Sequence, residues 1–207
     1  MEIPKLQQFS TAAINELTIG ALPPDGTRSR TVITTVPGQR RWTAAEATHG
    51  TRATRAASAE ELARLLEERL RAMLLGGVTT VEVKSGYGLS WPQERKLLSV
   101  MADVSRNVPI EIVPTFLGAH AVPPEYRGNA DGYVEHIVRV MLPGVARQGL
   151  ARFADVFCDE GVFSPEQARR ILAAARELGL GVRLHADELA SLGGAELAAE
   201  LGAASAD

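Results

Sequence analysis

The residue types best suited to chemistry in this sequence follow an apolar segment near its end. His185 closes the segment that begins at Gly181, and two carboxylates, Asp187 and Glu188, come just beyond it. A neutral imidazole is a good ligand for zinc or iron, and a nearby carboxylate can take a proton from metal-activated water. The same residues could instead be a hydrogen-bonded histidine at a strand end, followed by two solvated acids that cap a helix. The pattern leaves both interpretations open.

Two further candidates lie in loops that follow other predicted strands. His120 occurs in a Gly-Ala-His-Ala-Val-Pro-Pro loop, and Tyr87 stands between Gly86 and Gly88. Such loops often carry binding groups, and the glycines would let the backbone and the phenol approach a ligand closely. Alternatively, His120 could only order the backbone of its own loop, and Gly86 and Gly88 could serve only the turn.

A charged pair occupies a predicted strand. Glu82 and Lys84 are two residues apart, so their side chains share one face of the strand. They could form a buried ion pair that supports a site, or a general acid–base pair, and the structural pair is the favoured interpretation. The single cysteine, Cys158, ends an apolar strand and is predicted to be a small buried side chain.

Helices and strands alternate regularly from about residue 58 onward. Ser58 and Ser164 are predicted N-caps, with Glu61 and Gln167 at the capping-box positions. The helices are predicted near 58–75, 92–106, 131–148, 164–178 and 194–201. The strands are predicted at 78–84, 110–116, 155–158 and 181–185, with the start of one more at 203–207.

This alternation of helices with apolar strands predicts an α/β fold with a parallel sheet. An open doubly-wound sheet and a barrel both fit it. No glycine-rich G-x-G-x-x-G fingerprint follows a strand, and ionisable residues gather at several strand ends, as they do in TIM barrels. We therefore predict a partial (β/α) TIM barrel of about four complete parallel strands with helices, plus the start of a fifth.

The first part of the chain has a weaker pattern. Residues 11–22 could form a short helix and residues 31–36 a strand, but no motif occurs there. We predict an N-terminal segment, 1–50, without a recognisable motif, followed by the partial barrel at 51–207.

Composition excludes some classes of partner. The 207 residues carry a formal net charge of −3, so no general attraction to nucleic acid or to anionic membranes is expected. No apolar run is long enough to span a membrane, and the first ten residues lack the features of a secretory signal. A single cysteine excludes an intrachain disulfide. These features predict a cytoplasmic protein.

Five segments, in order, resemble signatures of imidazolonepropionases of the amidohydrolase superfamily. The resemblance covers about three quarters of the chain, roughly residues 51–207, and five long motifs in sequence order are highly specific. The segments are Val81-Glu-Val-Lys-Ser-Gly-Tyr-Gly-Leu89, Thr115-Phe-Leu-Gly-Ala-His-Ala-Val-Pro-Pro-Glu-Tyr126, Asp155-Val-Phe-Cys-Asp-Glu-Gly-Val-Phe163, His185-Ala-Asp-Glu-Leu189 and Gly193-Gly-Ala-Glu-Leu-Ala-Ala-Glu-Leu-Gly202.

The resemblance implies an amidohydrolase-type TIM barrel with one zinc or iron ion. The family opens the cyclic amide of 4-imidazolone-5-propanoate to N-formimino-L-glutamate, in histidine degradation, with metal-activated water. By position, His185 matches a metal ligand and Glu188 matches the acid that handles the proton of the water. Tyr87 and His120 match residues that contact the substrate, and His120 is also placed to polarise the carbonyl.

The sequence also departs from the family pattern. The family's His-x-His metal motif is absent, and the first 50 residues do not resemble the family. Of the four expected protein ligands of the metal only His185 is present. We therefore expect a fragment of a longer barrel, whose exposed sheet edges would favour a homo-oligomer or another partner.

Two other functions remain open at this point. One is a catalytically inactive barrel fragment that acts as an interaction module. The other is a different barrel enzyme, a lyase that uses Glu82, Lys84 and His185.

Overall fold

One parallel sheet organises the part of the chain that the structure describes. The structure is a computed structural model and describes residues 16–18 and 44–207, with side chains from residue 50 onward. The strands follow one another in the sheet in chain order. They are β1 (Glu16–Thr18), β2 (Thr80–Lys84), β3 (Glu111–Ala119), β4 (Phe153–Cys158) and β5 (Gly181–Ala186).

Helices connect these strands and cover one face of the sheet. In the described residues they are α1 (Ala44–Ala56), α2 (Ala59–Leu75), α3 (Trp91–Ser105), α4 (Ala130–His136), α5 (Leu142–Gln148), α6 (Pro165–Glu177) and α7 (Gly194–Glu200). A π-helical segment, Ile137–Met141, joins α4 to α5, so one continuous helical run occupies the stretch predicted as a single helix. None of the described helices has the length and apolar character that crossing a membrane requires.

The strand order decides between the two predicted architectures. All neighbouring strands are parallel, and each pairs with the next strand along the chain. A doubly-wound sheet reverses its strand order at a switch point, whereas a barrel adds strands in one direction. The predicted partial (β/α) TIM barrel is therefore confirmed.

The last residues of the chain extend this arc beyond β5. The backbone N–H groups of Ala204 and Asp207 donate to Val182 and Leu184, and Leu184 and Ala186 donate in return to Ser205 and Asp207. This pairing is parallel. The start of a further strand at 203–207, predicted from the sequence, is confirmed.

The two faces of the sheet differ sharply in chemistry. One face is apolar and packs against the helices; it includes Val83, Val156 and Leu184, all fully buried. The opposite face lies inside the barrel arc and carries ionisable groups. We call this group of side chains the ionic cluster: Glu82, Lys84, Asp155, Arg183, His185 and Asp207.

Local sequence signals set the ends of the helices. The Ser58 hydroxyl accepts a hydrogen bond from the backbone N–H of Glu61, and Ser164 with Gln167 forms the full reciprocal capping box. Both predicted N-caps are thus present. The strands begin and end within a few residues of their predicted bounds.

The prediction for the N-terminal segment was wrong at one place. Residues 16–18 form β1, paired in parallel with β2, rather than part of a helix at 11–22. Backbone pairing along an available strand edge outweighs a weak helical preference in a segment without amphipathic periodicity. The strand predicted at 31–36 lies outside the described residues. The boundary between residues 50 and 51 stays a prediction, and α1 runs across it.

Candidate active site

The ionic cluster is centred on the ammonium group of Lys84. Its Nζ lies 2.8 Å from Oδ2 of Asp155, 3.0 Å from Oδ2 of Asp207 and 3.6 Å from Oε2 of Glu82. Lys84 and Asp155 are fully buried, while Asp207 is about one third exposed. The sequence predicted the Glu82–Lys84 pair, but the closest partners of Lys84 come from two other strands.

His185 joins the cluster through Asp155. Its Nδ1 lies 2.9 Å from Oδ2 of Asp155, the same oxygen that contacts Lys84. Burial alone would raise the pKa of the Asp155 carboxyl, but the charges of His185 and Lys84 lower this pKa well below its ordinary value. One oxygen of the Asp155 carboxylate therefore contacts both Lys84 and His185.

Arg183 extends the cluster along the same face of β5. Its Nε lies 3.1 Å from Oε1 of Glu82, and its guanidinium donates to the Ser205 hydroxyl at 2.7 Å. Glu82 also accepts a hydrogen bond from Thr115. Burial raises the pKa of Glu82, although Lys84, Thr115 and Arg183 oppose this. Because each buried charge has an opposite partner, the cost of removing the cluster from water is partly offset.

A row of rings connects the predicted substrate residues to His185. The rings of Tyr87 and His120 meet edge to face with centroids 4.9 Å apart. His120 lies 5.9 Å from Phe157, which in turn lies 5.8 Å from His185. The structure thus places Tyr87, His120 and His185 along one end of the sheet, with Phe157 between the two histidines.

The loop that carries Tyr87 is held by a buried acid that sequence reasoning missed. The Glu94 carboxylate accepts hydrogen bonds from the backbone N–H groups of Gly86, Gly88 and Leu89. Burial raises the pKa of the Glu94 carboxyl, although these hydrogen bonds act in the opposite direction. A signal for Glu94 was present, since helical spacing puts it on the buried face of α3 with Leu97 and Leu98.

Helix α1 packs against the same loop. A Cβ at Gly50 would lie 2.9 Å from Cε1 of Tyr87, so glycine allows the helix and the ring to approach closely. Arg55 donates from Nε to the carbonyl of Gly88 at 2.7 Å and pairs with Glu125. The position of the Tyr87 ring thus depends on a helix that begins in the segment without a recognisable motif.

Glu188 lies in the loop after β5, where it is half-buried. Asp159, at the end of β4, fixes this loop by accepting from the backbone N–H groups of Leu189 at 2.7 Å and Ala190 at 3.0 Å.

Asp187, the other acid of this motif, has a positive φ of 58°. Its carboxylate accepts from the backbone N–H of Ala195, at the start of α7, at 2.9 Å, so it does cap a helix, as the structural interpretation of this motif predicted. The two acids that follow His185 therefore have different positions, and the catalytic role of Glu188 stays a prediction.

Three groups lie close enough to form a possible metal-binding triad. Ligand atoms of Asp155, His185 and Asp207 lie within 4.8 Å of one another. However, the Lys84 ammonium contacts both carboxylates, and it stands where a cation shared by them would bind. His185 fits a metal in this region because its imidazole is a borderline ligand suited to zinc and iron, whereas the two carboxylates already contact the Lys84 ammonium.

Two other interpretations lose support from these contacts. The Lys84 ammonium pairs with three carboxylates, which matches the structural ion pair favoured from the sequence rather than the lyase that would use Lys84. Cys158 faces the core, and burial raises the pKa of its thiol to about 11. It is the small buried side chain that the sequence predicted.

Comparison with known proteins gives one consistent result. The chain is 59% identical over 157 residues to an imidazolonepropionase of Symbiobacterium thermophilum, 56% identical over 157 residues to one of Geobacillus thermodenitrificans, and 51% identical over 156 residues to one of Streptococcus gordonii. These matches cover 75–76% of this chain. The matched part of the chain is related to imidazolonepropionases. No protein-family model matches the chain.

The similarity to imidazolonepropionases concerns one part of those proteins. The matched segment corresponds to 37% of the Symbiobacterium and Geobacillus proteins and to 50% of the Streptococcus protein. The chain thus spans about a third to a half of the length of these imidazolonepropionases. The resemblance seen in the five ordered motifs is confirmed.

Proposed function

We propose that this chain is part of an imidazolonepropionase-type hydrolase. Such an enzyme would open the cyclic amide of 4-imidazolone-5-propanoate to N-formimino-L-glutamate. The observation that supports this most is the identity of 51–59% over 156–157 residues. The arrangement of Tyr87, His120 and His185 at one end of the sheet is consistent with it.

The proposed roles follow from position and side-chain chemistry. Tyr87 and His120 contact the substrate, and His120 polarises the ring carbonyl. His120 is 4% exposed, and its Nδ1 lies 3.0 Å from the carbonyl oxygen of Gly86. This contact requires a proton on Nδ1, because a carbonyl oxygen only accepts, so a hydrogen bond from His120 to the substrate carbonyl would need a second proton, on Nε2. Glu188 takes the proton of the attacking water and returns it to the leaving nitrogen.

We propose His185 as a ligand of a zinc or iron ion in this enzyme. Such an ion supplies a Lewis acid and an activated water when bound. Most catalytic metal sites use three protein ligands, so the remaining ligands would come from parts of the protein beyond the described residues. We also propose that the protein is cytoplasmic and that copies of it associate through their exposed sheet edges. Sedimentation of the purified chain would test this association.

A chimeric enzyme tests the proposed function directly. The matched segment of the Symbiobacterium imidazolonepropionase is replaced by the corresponding 157 residues of this chain. We expect the chimera to convert 4-imidazolone-5-propanoate to N-formimino-L-glutamate, detected by chromatography. Substitution of Glu188→Gln should lower turnover by about 10²-fold or more, as loss of a general base does.

The matched control is Glu160→Gln, in the neighbouring loop after β4. It removes an exposed carboxylate that has no proposed role, so turnover should persist. A folded, metal-loaded chimera without turnover would contradict the proposed activity. That result would instead favour the interaction module.

A further inference from the structure

We infer that Asp155 and Lys84 are positioning residues that orient the His185 ring so that Nε2, not Nδ1, donates to a metal. This inference rests on the proposed metal-dependent function, because it concerns how His185 would serve it. Neither Asp155 nor Lys84 has a role in the resemblance. The inference is carried by contacts within the ionic cluster.

The first step is the contact between His185 and Asp155. Nδ1 and Oδ2 are 2.9 Å apart, an ion-pair contact between the buried imidazole and the carboxylate. Two ligand atoms on one tetrahedral zinc, at about 2.0–2.2 Å from it, would be roughly 3.3–3.6 Å apart. The observed separation is therefore shorter than two ligands of a common zinc ion would show. Nδ1 is engaged by Asp155, so donation to a metal falls to Nε2.

The second step is the role of Lys84. Its Nζ contacts the same oxygen of Asp155 at 2.8 Å and reaches Asp207 at 3.0 Å. A carboxylate that is fully buried needs compensating charge and directed hydrogen bonds. Lys84 supplies both and prevents Asp155 from turning away from His185.

Packing fixes the other side of the imidazole. The Phe157 ring lies at 77° to the His185 ring with centroids 5.8 Å apart. His185 is 2% exposed. An edge-to-face contact on one side and a carboxylate near Nδ1 restrict the orientation of the ring. A histidine that ligates a metal commonly has such a partner at its other nitrogen, and loss of the partner weakens metal affinity by about 10–100-fold.

The test uses the complete 207-residue chain and two readouts. Nitrogen-15 NMR of the metal-free chain at fixed neutral pH reports which ring nitrogen of His185 carries the proton. Titration with Zn²⁺ alone, by calorimetry, reports metal affinity. We expect a protonated Nδ1 in the wild-type chain, and mixed tautomers with affinity lowered by about 10–100-fold in Asp155→Ala.

The variants are chosen to separate orientation from general stability. Lys84→Met should loosen the Asp155 contact and also weaken zinc binding. Arg183→Met is the matched control, since it removes another cation from the same face, one that pairs with Glu82 rather than Asp155. It should leave the tautomer and the zinc affinity unchanged. If Asp155→Ala does not fold, the isosteric Asp155→Asn replaces it, and circular dichroism checks each variant.

Two results would overturn the inference. An unprotonated Nδ1 in the wild-type chain would show that Asp155 does not orient His185. Tighter zinc binding in Lys84→Met would show that Asp155 and Asp207 are themselves metal ligands that Lys84 blocks. If the wild-type chain binds no zinc but Asp155→Ala still changes the tautomer, metal binding by this chain fails while the orienting role holds.

Discussion

The Lys84 ammonium lies 2.8 Å from the Asp155 carboxylate, and neither side chain is exposed to solvent. Seventy-one positions separate the two residues, and they lie on β2 and β4, with β3 between these strands. The contact therefore depends on the sheet being assembled. It also holds together the inner face of the barrel arc, where His185 lies.

Replacing Lys84 should destabilise the chain strongly. Lys84→Met leaves Asp155 buried without its cation, and removal of one partner of a buried ion pair costs about 3–5 kcal/mol. Urea denaturation followed by circular dichroism measures the change. The control is Arg64→Met, which breaks an exposed pair with Glu68 and should cost roughly 0.5 kcal/mol or less. Equal losses in the two variants would contradict a special role for the buried pair.

Glu94 should make stability depend on pH. Burial raises its pKa above the ordinary 4.5, so the folded chain holds this proton more tightly than the unfolded chain. Between the two pKa values the unfolded state binds fewer protons, and the free energy of unfolding falls as pH rises. Denaturation curves at several pH values should show the stability of the wild type, relative to Glu94→Gln, declining as pH rises past 4.5.

The control for this pH dependence is Glu68→Gln, at an exposed position on α2. Its denaturation curves are measured at the same pH values. A constant difference between the wild type and Glu94→Gln would show that Glu94 does not titrate differently on folding.

Gly50 and Tyr87 should be energetically coupled. A Cβ at position 50 would overlap the Tyr87 ring, at 2.9 Å from Cε1 and 3.0 Å from Cδ1. Gly50→Ala should therefore destabilise the chain by about 1–3 kcal/mol, the usual cost of overpacking. In a Tyr87→Ala background this cost should disappear, which a double-mutant cycle measures. An additive cycle would mean that helix α1 and the Tyr87 loop do not pack as described.

Asp159 should control the order of the Glu188 loop. Asp159→Ala removes the acceptor of the backbone N–H groups of Leu189 and Ala190. Hydrogen exchange at these two amides should become faster, while exchange at the core of β5 stays the same. Glu160→Ala, which removes the adjacent and exposed carboxylate, serves as the control. Unchanged exchange in Asp159→Ala would assign the order of this loop to other contacts.

Local sequence signals sufficed for most elements of the fold. Ser58 and Ser164 mark helix starts because a side-chain oxygen satisfies a backbone N–H that the helix leaves unpaired, and this needs only nearby residues. The alternation of strands and helices predicted a parallel sheet, and the ionisable residues at the strand ends, with no glycine-rich fingerprint, favoured a barrel. The short strand β1 could not be predicted, because its formation depends on the edge that β2 offers rather than on its own three residues.

The sequence by itself determined which residue types stand at the strand ends, including Tyr87, His120, His185 and Glu188. The ordered motifs also determined the relationship to imidazolonepropionases. Only the tertiary structure decided which partners these residues have. The sequence paired Lys84 with Glu82, two residues away, whereas the folded sheet pairs it more closely with Asp155 and Asp207. Strand pairing and register set such contacts, because they bring together side chains that are distant along the chain.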